Sequence, residues 1–394
     1  MRTPLRFVTG ALLLALPLGA TPGAMADPDP AASPTAVAVH HSANAVPGQY
    51  IVTLDPALDP VRTARSAGVT PLFTYTTALH GFAAELTPVQ LETVRRLPGV
   101  RAVEEDGQVS VPAPGATGTR VAATSWGLDR IDQQALPLDG QFTVHGTGQG
   151  VNAYIVDTGI DFPHDEFGGR AVPGYDAVGD GRNGQDCSGH GTHVAGTVGG
   201  RTYGVASEVS LVSVRVLDCH GKGTYAGMIA GFDWIARNGR QPAVVNGSLG
   251  GPQSDALNSA ADALSDAGFL PVVAAGNDAT DACGVSPASA KGVVTVGATD
   301  PYDQESDFSN YGSCLSLYAP GTDIVSAKLG GGSRTESGTS MAAPHVTGVV
   351  ALYKAAHPDA APTDLALWLS TETTKDALSV TKSSPDALLY TGGL

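Results

Sequence analysis

Short apolar runs alternate with amphipathic stretches along the larger, C-terminal part of the chain, from Trp126 onward. The apolar runs are nearly continuous, as in strands that are buried on both faces of a sheet. These runs lie at 151–157, 209–218, 243–249, 269–277 and 292–299. Stretches of helical character include 191–199, 224–237 and 254–267. The alternation predicts an α/β fold with a mostly parallel sheet and helices on both faces.

A smaller α+β unit is predicted before this region. Residues 48–54 (GQYIVTL) alternate like a strand, and residues 100–106 again have strand character. Between them, 87–100 has the pattern of a helix with Thr87 as its N-cap. The predicted organisation is a linker at 27–47, the small unit at 48–110, a second linker at 111–123 and the large domain at 124–394.

The first 26 residues predict export. Arg2 and Arg6 precede an apolar run that extends from residue 11 to residue 18. Ala24-Met25-Ala26 then supplies small residues at a cleavage position, so residues 1–26 are typical of a signal peptide. The apolar run is too short to span a bilayer. We therefore expect a secreted protein without a membrane anchor.

Composition and charge exclude several classes of protein. The 394 residues are 42% hydrophobic, which excludes a mostly disordered chain, and the 50 Gly and 27 Pro follow no collagen period. Lys and Arg number 22 against 38 Asp and Glu, a formal net charge of −16. Because a nucleic-acid binder needs a basic surface, nucleic-acid binding is not expected.

Four cysteines in an exported chain favour disulfides. Their positions, 187, 219, 283 and 314, allow three pairings, and the spacing alone selects none of them. A zinc site is the alternative, but the sequence has no C-x-x-C pair and no close Cys/His cluster.

Three glycine-flanked segments carry residues suited to acyl transfer. Asp157 ends an apolar strand in YIVDTGID, and His190 begins a helix in DCSGHGTHVAG. Ser340 lies at a loop-to-helix junction in SGTSMAAPHV, where Pro344 is expected in the first helical turn. Because the chemistry of a parallel sheet collects at the carboxyl ends of its strands, we expect these three side chains to meet. The aspartate would orient the imidazole, the histidine would take the serine proton, and the serine would attack a carbonyl carbon.

Asn277 is a fourth candidate. It follows an apolar strand in AAGN. An amide side chain there can donate a hydrogen bond to a tetrahedral oxyanion, together with the backbone N–H of Ser340.

The strings DTGI, GHGTHVAG, NGSLGG, AAGN and GTSMAAPHV, in this order, resemble the subtilase family of serine peptidases. The resemblance covers residues 124–394. Within it, WGLDRIDQ, VLDCHGKG and SNYGSC are similar to the proteinase K branch, and most similar to its aqualysin-type members. Residues 40–110 resemble the inhibitor-type propeptide of subtilases, which implies a folding helper and temporary inhibitor.

The resemblance implies a broadly specific serine endopeptidase, made as a zymogen, that needs no catalytic cofactor. Asp157, His190 and Ser340 would form the triad and Asn277 would be the oxyanion donor. Substrate backbone would pair with 221–225 and 248–251, and small residues would leave a roomy S1 pocket for apolar or aromatic side chains. The implied substrate-binding residues are Gly221, Gly223, Tyr225, Ser248, Leu249, Gly250, Gly251, Ala274, Ala275 and Gly276.

The same resemblance implies two disulfides, Cys187–Cys219 and Cys283–Cys314, and structural calcium. Asp129, Asp132 and Gln133 in GLDRIDQ resemble a calcium loop to which Asp139 could contribute, and Asp376 matches a weaker site. The strong calcium site of the proteinase K pattern is not expected, because Ser316 replaces its aspartate.

Three other functions are weaker alternatives. An α/β-hydrolase esterase requires G-x-S-x-G and the order Ser, Asp, His, and this chain has neither. An inactive binding protein would normally have lost a triad residue. A narrow processing protease would require a cluster of acidic residues in the subsites, and only Asp218 lies near the substrate strand.

We expect a monomer whose propeptide is removed by the enzyme itself near Thr119.

Overall fold

The computed structural model describes residues 36–111, 125–380 and 383–394. The predicted signal peptide at 1–26, most of the predicted linker at 111–123 and the expected cleavage position near Thr119 lie outside these residues. Among the described residues, no helix is long and apolar enough to cross a membrane.

The N-terminal part, up to Ser110, forms a sheet with two helices. Its strands run in the order β1-β5-β2-β4-β3, with β1 parallel to β5 and the other neighbours antiparallel. A capping box between Thr87 and Gln90 begins the second helix, which ends at Val94 and is shorter than predicted. The elements are β1 (Val39–His40), β2 (Ala45–Leu54), α1 (Pro60–Ser66), β3 (Phe73–Tyr75), β4 (Gly81–Glu85), α2 (Pro88–Val94) and β5 (Val100–Ser110).

The predicted linker at 27–47 needs correction within its described part. Val39–His40 pairs with β5, and β2 begins at Ala45, so both segments belong to the sheet. The alternating pattern of GQYIVTL identified only the part of β2 that contains its buried residues, Ile51, Val52 and Leu54. The more exposed first residues of β2 gave no hydrophobic signal.

The large domain is built on a nine-stranded sheet in the order β18-β19-β15-β14-β12-β10-β6-β8-β7. All neighbours are parallel except the edge pair β18–β19. Its strands are β6 (Asn152–Asp157), β7 (Ala171–Asp176), β8 (Ser210–Arg215), β10 (Ala243–Gly247), β12 (Pro271–Ala274), β14 (Val294–Thr299), β15 (Leu317–Pro320), β18 (Thr374–Lys375) and β19 (Ala387–Leu388).

Helices cover both faces of this sheet, and the predicted α/β fold is confirmed. One apolar core lies between the sheet and α3, α4, α7 and α8, and the other lies between the sheet and α5 and α6. Thr224 caps α5 and Ser254 caps α6 through their side-chain oxygens. The helices are α3 (Trp126–Ile131), α4 (His190–Gly199), α5 (Tyr225–Asn238), α6 (Asp255–Asp266), α7 (Thr339–Ala356) and α8 (Pro362–Glu372).

Short elements border the carboxyl edge of the sheet. Strand β9 (Lys222–Thr224) pairs with the end of β5 and not with the central sheet. The remaining elements are the pair β11 (Gly251–Pro252) and β13 (Val285–Ser286), the hairpin β16 (Ile324–Ala327) and β17 (Ser333–Glu336), and a 3-10 helix at Ala282–Gly284.

Candidate active site

The four candidate catalytic residues lie at one edge of the central sheet. Asp157 is the last residue of β6, and Asn277 follows the end of β12. His190 is the first residue of α4, and Ser340 is the second residue of α7. His190, Asn277 and Ser340 line one cavity of about 130 Å³.

Asp157 and His190 form a direct pair. The carboxylate is fully buried, and its Oδ1 lies 2.8 Å from Nδ1 of His190. The N–H of Thr158 donates to the same oxygen over 2.7 Å. Burial lowers the pKa of His190, but the charge of Asp157 and the hydrogen bond to it raise the pKa, and the net pKa lies above its ordinary value.

Asp186 supports this pair, and the sequence analysis did not identify it. Its Oδ1 accepts hydrogen bonds from Thr158 Oγ1 and from the N–H groups of Ser188 and Gly189. Its Oδ2 accepts from the N–H and the hydroxyl of Thr192. The carboxylate therefore joins the turn after β6 to the beginning of α4 and fixes the two elements that carry the pair.

Ser340 is hydrogen-bonded to Ser248 in both directions. Ser340 Oγ donates to the carbonyl oxygen of Ser248 over 3.2 Å, and Ser248 Oγ donates to the carbonyl oxygen of Ser340 over 2.9 Å. Pro344 is not in the first turn of α7, as expected, but inside the helix. Pro344 has no N–H to donate to the carbonyl oxygen of Ser340, four residues earlier. The hydroxyl of Ser248 donates to that oxygen instead.

In the structure no hydrogen bond joins Ser340 Oγ, which is hydrogen-bonded to Ser248, to Nε2 of His190. Nε2 of His190 is buried and has no hydrogen-bond partner among the described residues. Both side chains line the same cavity. Rotation of the serine hydroxyl away from Ser248 is therefore the movement that would join them, and loose catalytic hydrogen bonds are common without substrate.

The amide of Asn277 is oriented by Thr339. Oδ1 accepts from the N–H and from Oγ1 of Thr339, over 2.9 and 2.7 Å. Nδ2 therefore faces away from Thr339. It lies close to the backbone of Gly338, because a Cβ added at that glycine would lie 2.9 Å from Nδ2. The N–H of Ser340 is in the first turn of α7, where N–H groups have no partner within the helix. Asn277 and Ser340, which carry these two donor groups, line the same cavity.

The end of the N-terminal sheet lies in the cleft beside these residues. Val109 pairs with Gly223 of β9, and the N–H of Val111 donates to the carbonyl oxygen of Gly221 over 3.0 Å. On the other side, Ser110 and Gly250 exchange two backbone hydrogen bonds. The chain's own residues 109–111 thus form the middle strand between the two segments that were predicted to pair with substrate.

Most of the predicted substrate-binding residues surround this strand. Tyr225 Oη donates to the carbonyl oxygen of Pro252, and its ring lies so close to Gly107 that no Cβ would fit there. A cavity of about 550 Å³ lies beside the strand. Its lining includes Ser110, Leu249, Gly250, Gly251, Ala274, Gly276 and Asp278.

Ala275 differs from its neighbours. It does not line this cavity, because its buried side chain packs with Ala282, Leu315 and Tyr318 on the other side of the strand end. Asp278, which the sequence analysis did not identify, does line the cavity. Successive side chains of a strand face opposite sides, so at the end of β12 Ala275 points away from the cavity that Ala274 lines.

The predicted disulfides are present. Cys187 is bonded to Cys219 and Cys283 to Cys314. The first disulfide joins the segment before His190 to the loop before β9. The guanidinium of Arg215 lies beside it and binds Asp176 and Asp180.

The residues predicted to bind calcium lie in two places. Asp129 accepts from the N–H groups of Asp139 and Gly140, and Asp132 accepts from the N–H of Thr143. Burial, and then the charges of Asp129 and Asp139, raise the pKa of Asp132. Asp376 is exposed on another part of the surface. No group of three or more His, Cys, Asp or Glu side chains that could hold a metal occurs among the described residues.

Two carbonyl oxygens of the same loop are further candidate ligands. The amide nitrogen of Gln133 donates to the carbonyl oxygens of Ala135 and Pro137. The carbonyl oxygens of Ala135 and Pro137 therefore lie in the same loop as the carboxylates of Asp129, Asp132 and Asp139, and oxygen atoms of both kinds are ligands that calcium takes. Ser316, in contrast, uses its hydroxyl oxygen to accept from the N–H of Thr295.

The fold and this site define a subtilisin-like serine peptidase joined to an inhibitor-type propeptide. The chain belongs to the subtilase family, since a family model described as Subtilase family matches residues 148–389. A second model, described as Peptidase inhibitor I9, matches residues 49–112. The family inferred from the sequence motifs is confirmed, and the protein is a serine proteinase.

Individual relatives agree with this assignment. The chain is 46% identical over 375 residues to an extracellular serine proteinase of Thermus sp. (strain Rt41A). The matched region covers 88% of this chain and 90% of the relative. It is 46% identical over 313 residues to alkaline serine exoprotease A of Vibrio alginolyticus. This matched region covers 79% of this chain and 59% of the relative. A crystal structure of a cold adapted subtilisin-like serine proteinase matches with a TM-score of 0.67 and 50% identity, covering 68% of this chain and 99% of that chain.

Proposed function

We propose that the protein is a secreted, monomeric endopeptidase of broad specificity in which Ser340 is the nucleophile, His190 the general base and Asp157 its orienting partner. The observation that carries this proposal is the position of residues 109–111. They are paired with Gly221, Gly223 and Gly250 next to the cavity of Ser340 and His190. A polypeptide held in this way delivers its following residues to the serine.

The reaction begins when Ser340 Oγ turns from Ser248 to Nε2 of His190. The serine oxygen attacks the scissile carbonyl carbon as His190 takes the hydroxyl proton, and Asp157 stabilises the resulting imidazolium. The carbonyl oxygen becomes an oxyanion, which accepts hydrogen bonds from Asn277 Nδ2 and the N–H of Ser340. His190 then gives its proton to the leaving amine, and water hydrolyses the acyl-enzyme by the same steps.

The preferred residue before the scissile bond is apolar or aromatic. The cavity of about 550 Å³ beside Ser110 supports this preference, because Ala274, Gly250 and Gly276 leave room for a large side chain. Asp278 is exposed, so its carboxylate is hydrated and does not make the pocket strongly selective for cations.

The N-terminal sheet acts as an intramolecular inhibitor. Glu104 accepts from Ser254 Oγ and from the N–H of Ala256 at the start of α6, and Asp106 accepts from the N–H of Ala226 at the start of α5. The first N–H groups of a helix have no partner within the helix, and these carboxyl oxygens supply acceptors for them. These contacts hold β5 against the cleft, so that its end blocks the substrate strand.

Maturation is a self-cleavage between Val111 and Thr124. Val111 lines the cavity of Ser340 and His190, which supports a first cut directly beyond it. A start near Thr119 would then arise by later trimming. The free inhibitor also serves as the folding helper that the family resemblance implies.

Calcium is proposed as a structural ion at the loop from Asp129 to Asp139. The carboxylates of Asp129, Asp132 and Asp139 and the loop carbonyls would hold it. Bound calcium would offset the repulsion among these carboxylates and would take no part in catalysis. Asp376 remains a proposed second site.

A serine-directed phosphonylating reagent tests the function. The processed protein should bind one reagent molecule, on Ser340, and lose all peptidase activity. The Ser340→Ala protein, purified free of other proteases, should remain uncut, unlabelled and folded. Labelling of another residue, or peptide hydrolysis by Ser340→Ala, would contradict the proposal.

Products from a peptide library, identified by mass spectrometry, would show whether apolar or aromatic residues precede the cut.

A further inference from the structure

An arginine–glutamate pair lies at the catalytic cavity, and the acyl-transfer steps described above assign it no role. Arg334 and Glu336 line the cavity together with Ser340 and His190. Both belong to β17, the strand that leads into the nucleophile loop. Because they are two residues apart, their side chains lie on the same face of that strand.

Glu336 holds the guanidinium of Arg334 in a fixed position. Nη2 of Arg334 contacts Oε1 of Glu336, and the two side chains are 43% and 7% exposed. A Cβ added at Gly189 would lie 3.1 Å from Nη1 of Arg334, so the guanidinium rests close to the backbone just before His190. The carboxylate is buried and the guanidinium is half-exposed. The outer N–H groups of the arginine therefore remain available to a ligand.

The backbone of Arg334 is tied to the helix that carries His190. Nε2 of His193 lies 3.2 Å from the carbonyl oxygen of Arg334 and 3.1 Å from that of Ile324. Burial lowers the pKa of His193 to about 3, so this histidine is neutral and its N–H serves both carbonyls. Strand β17 is thus held to α4, and Arg334 keeps its position relative to the catalytic histidine.

The position of the pair indicates which part of a substrate it meets. Residues 109–111 are held by β9 and Gly250, and neither Arg334 nor Glu336 lies on those segments. Val111, however, lines the same cavity as the pair. A substrate chain that continues from this end would enter the cavity that Val111, Ser340 and Arg334 line together. The pair therefore faces the residues that follow the scissile bond.

We propose that Arg334 selects substrates with Asp or Glu in the first two positions after the scissile bond, and that Glu336 positions its guanidinium. This inference rests on the proposed function. A planar guanidinium binds a carboxylate through parallel N–H groups, which an uncharged amide cannot match. Since Glu336 already restricts the arginine side chain, less conformational entropy is lost when a substrate carboxylate binds.

Matched peptides test this selection. Pairs that differ only as Asp or Asn, at the first or the second position after the bond, are cleaved by the processed enzyme, and the ratio of their kcat/KM values is measured. The ratio should favour Asp by on the order of fivefold at one or both positions. It should fall to about one in Arg334→Ala, be partly restored in Arg334→Lys, and decrease with added salt.

Arg182→Ala is the control. Arg182 is also half-exposed, at 46%, and pairs with an acidic residue two positions away, Asp180, but it does not line this cavity. This variant should keep the Asp/Asn ratio of the unsubstituted enzyme. Equal cleavage of the two peptides by the unsubstituted enzyme, or a ratio that persists in Arg334→Ala, would overturn the inference. Failure of the unsubstituted enzyme to cleave any peptide would instead contradict the proposed function.

Discussion

Thr339 and Asn277 are joined by two hydrogen bonds, from the N–H and from the hydroxyl of Thr339 to one amide oxygen of Asn277. Thr339 immediately precedes Ser340, the proposed nucleophile. The residue that positions the serine therefore also positions the amide that would stabilise the oxyanion. The two hydrogen bonds fix the orientation of the amide before any substrate binds.

Asn277→Ala should lower kcat by about 10²–10³ and leave KM nearly unchanged, because the donor acts on charge that develops in the transition state. Thr339→Val, which removes one of the two orienting donors, should have a smaller effect in the same direction. Steady-state kinetics with one peptide checks both variants. A large rise in KM at unchanged kcat would contradict the role of Asn277.

Activity should be lost as the pH falls. His190 must be neutral to accept the serine proton, and its pKa is raised from 6.5 in this structure. The acid limb of kcat/KM should therefore lie above pH 6.5. Asp157→Asn removes the charge that raises this pKa. Its acid limb should move to lower pH while kcat falls by about 10⁴. An unshifted limb would show that another group controls the profile.

The inhibitory contact should weaken as the pH rises. Burial raises the pKa of Asp106 to about 6 in this structure. If released Asp106 has its ordinary pKa of 3.8, the complex takes up a proton, is most stable below pH 3.8, and loses stability up to about pH 6. The change in affinity would approach about 100-fold.

The pH dependence of the activity recovered from the processed complex checks this linkage. The amide in Asp106→Asn cannot titrate, so this variant should have a flatter profile, in which the contribution of Glu104, whose pKa is also raised by burial, remains. Glu85→Gln changes an exposed carboxylate of the same sheet and should behave like the unsubstituted protein. Identical profiles for Asp106→Asn and the unsubstituted protein would assign the titration to a different group.

Removal of either disulfide should destabilise the protein. Each one closes a loop of about thirty residues, which corresponds to about 3–4 kcal/mol on the chain-entropy model. Replacing Cys283 and Cys314 by serine should lower the denaturation midpoint. The measurement belongs in the Ser340→Ala background, where autolysis is absent. An unchanged midpoint would show that the native fold gains little from this disulfide.

Chelation should lower the melting temperature if calcium occupies the loop from Asp129 to Asp139. Asp132→Asn removes one carboxylate of this loop and should reduce the response to chelator. Asp359→Asn, an exposed carboxylate outside the loop, should keep the full response. A melting temperature that chelator leaves unchanged would contradict a calcium site.

Local sequence determined much of the central fold because each signal lies within one short segment. β6 and β8 are apolar runs buried on both faces, and Asp157, His190 and Ser340 each lie in a glycine-flanked motif of their own. β7 was missed because it is an edge strand that contains Pro173 and Gly174 and is only partly buried, so it has no continuous apolar pattern.

Tertiary structure decided the relationships between residues that are distant in the chain. The bonding of Asp186 to both sides of the Asp157–His190 pair joins several segments, and no short pattern predicts it. Ala275 turns away from the cavity because of the direction of its strand end. Arg334 meets the catalytic cavity only because the β16–β17 hairpin packs beside α4. Sequence motifs predicted the reactive groups, since reactivity depends on residue type and local backbone. Their orientation, and what surrounds them, depends on long-range packing.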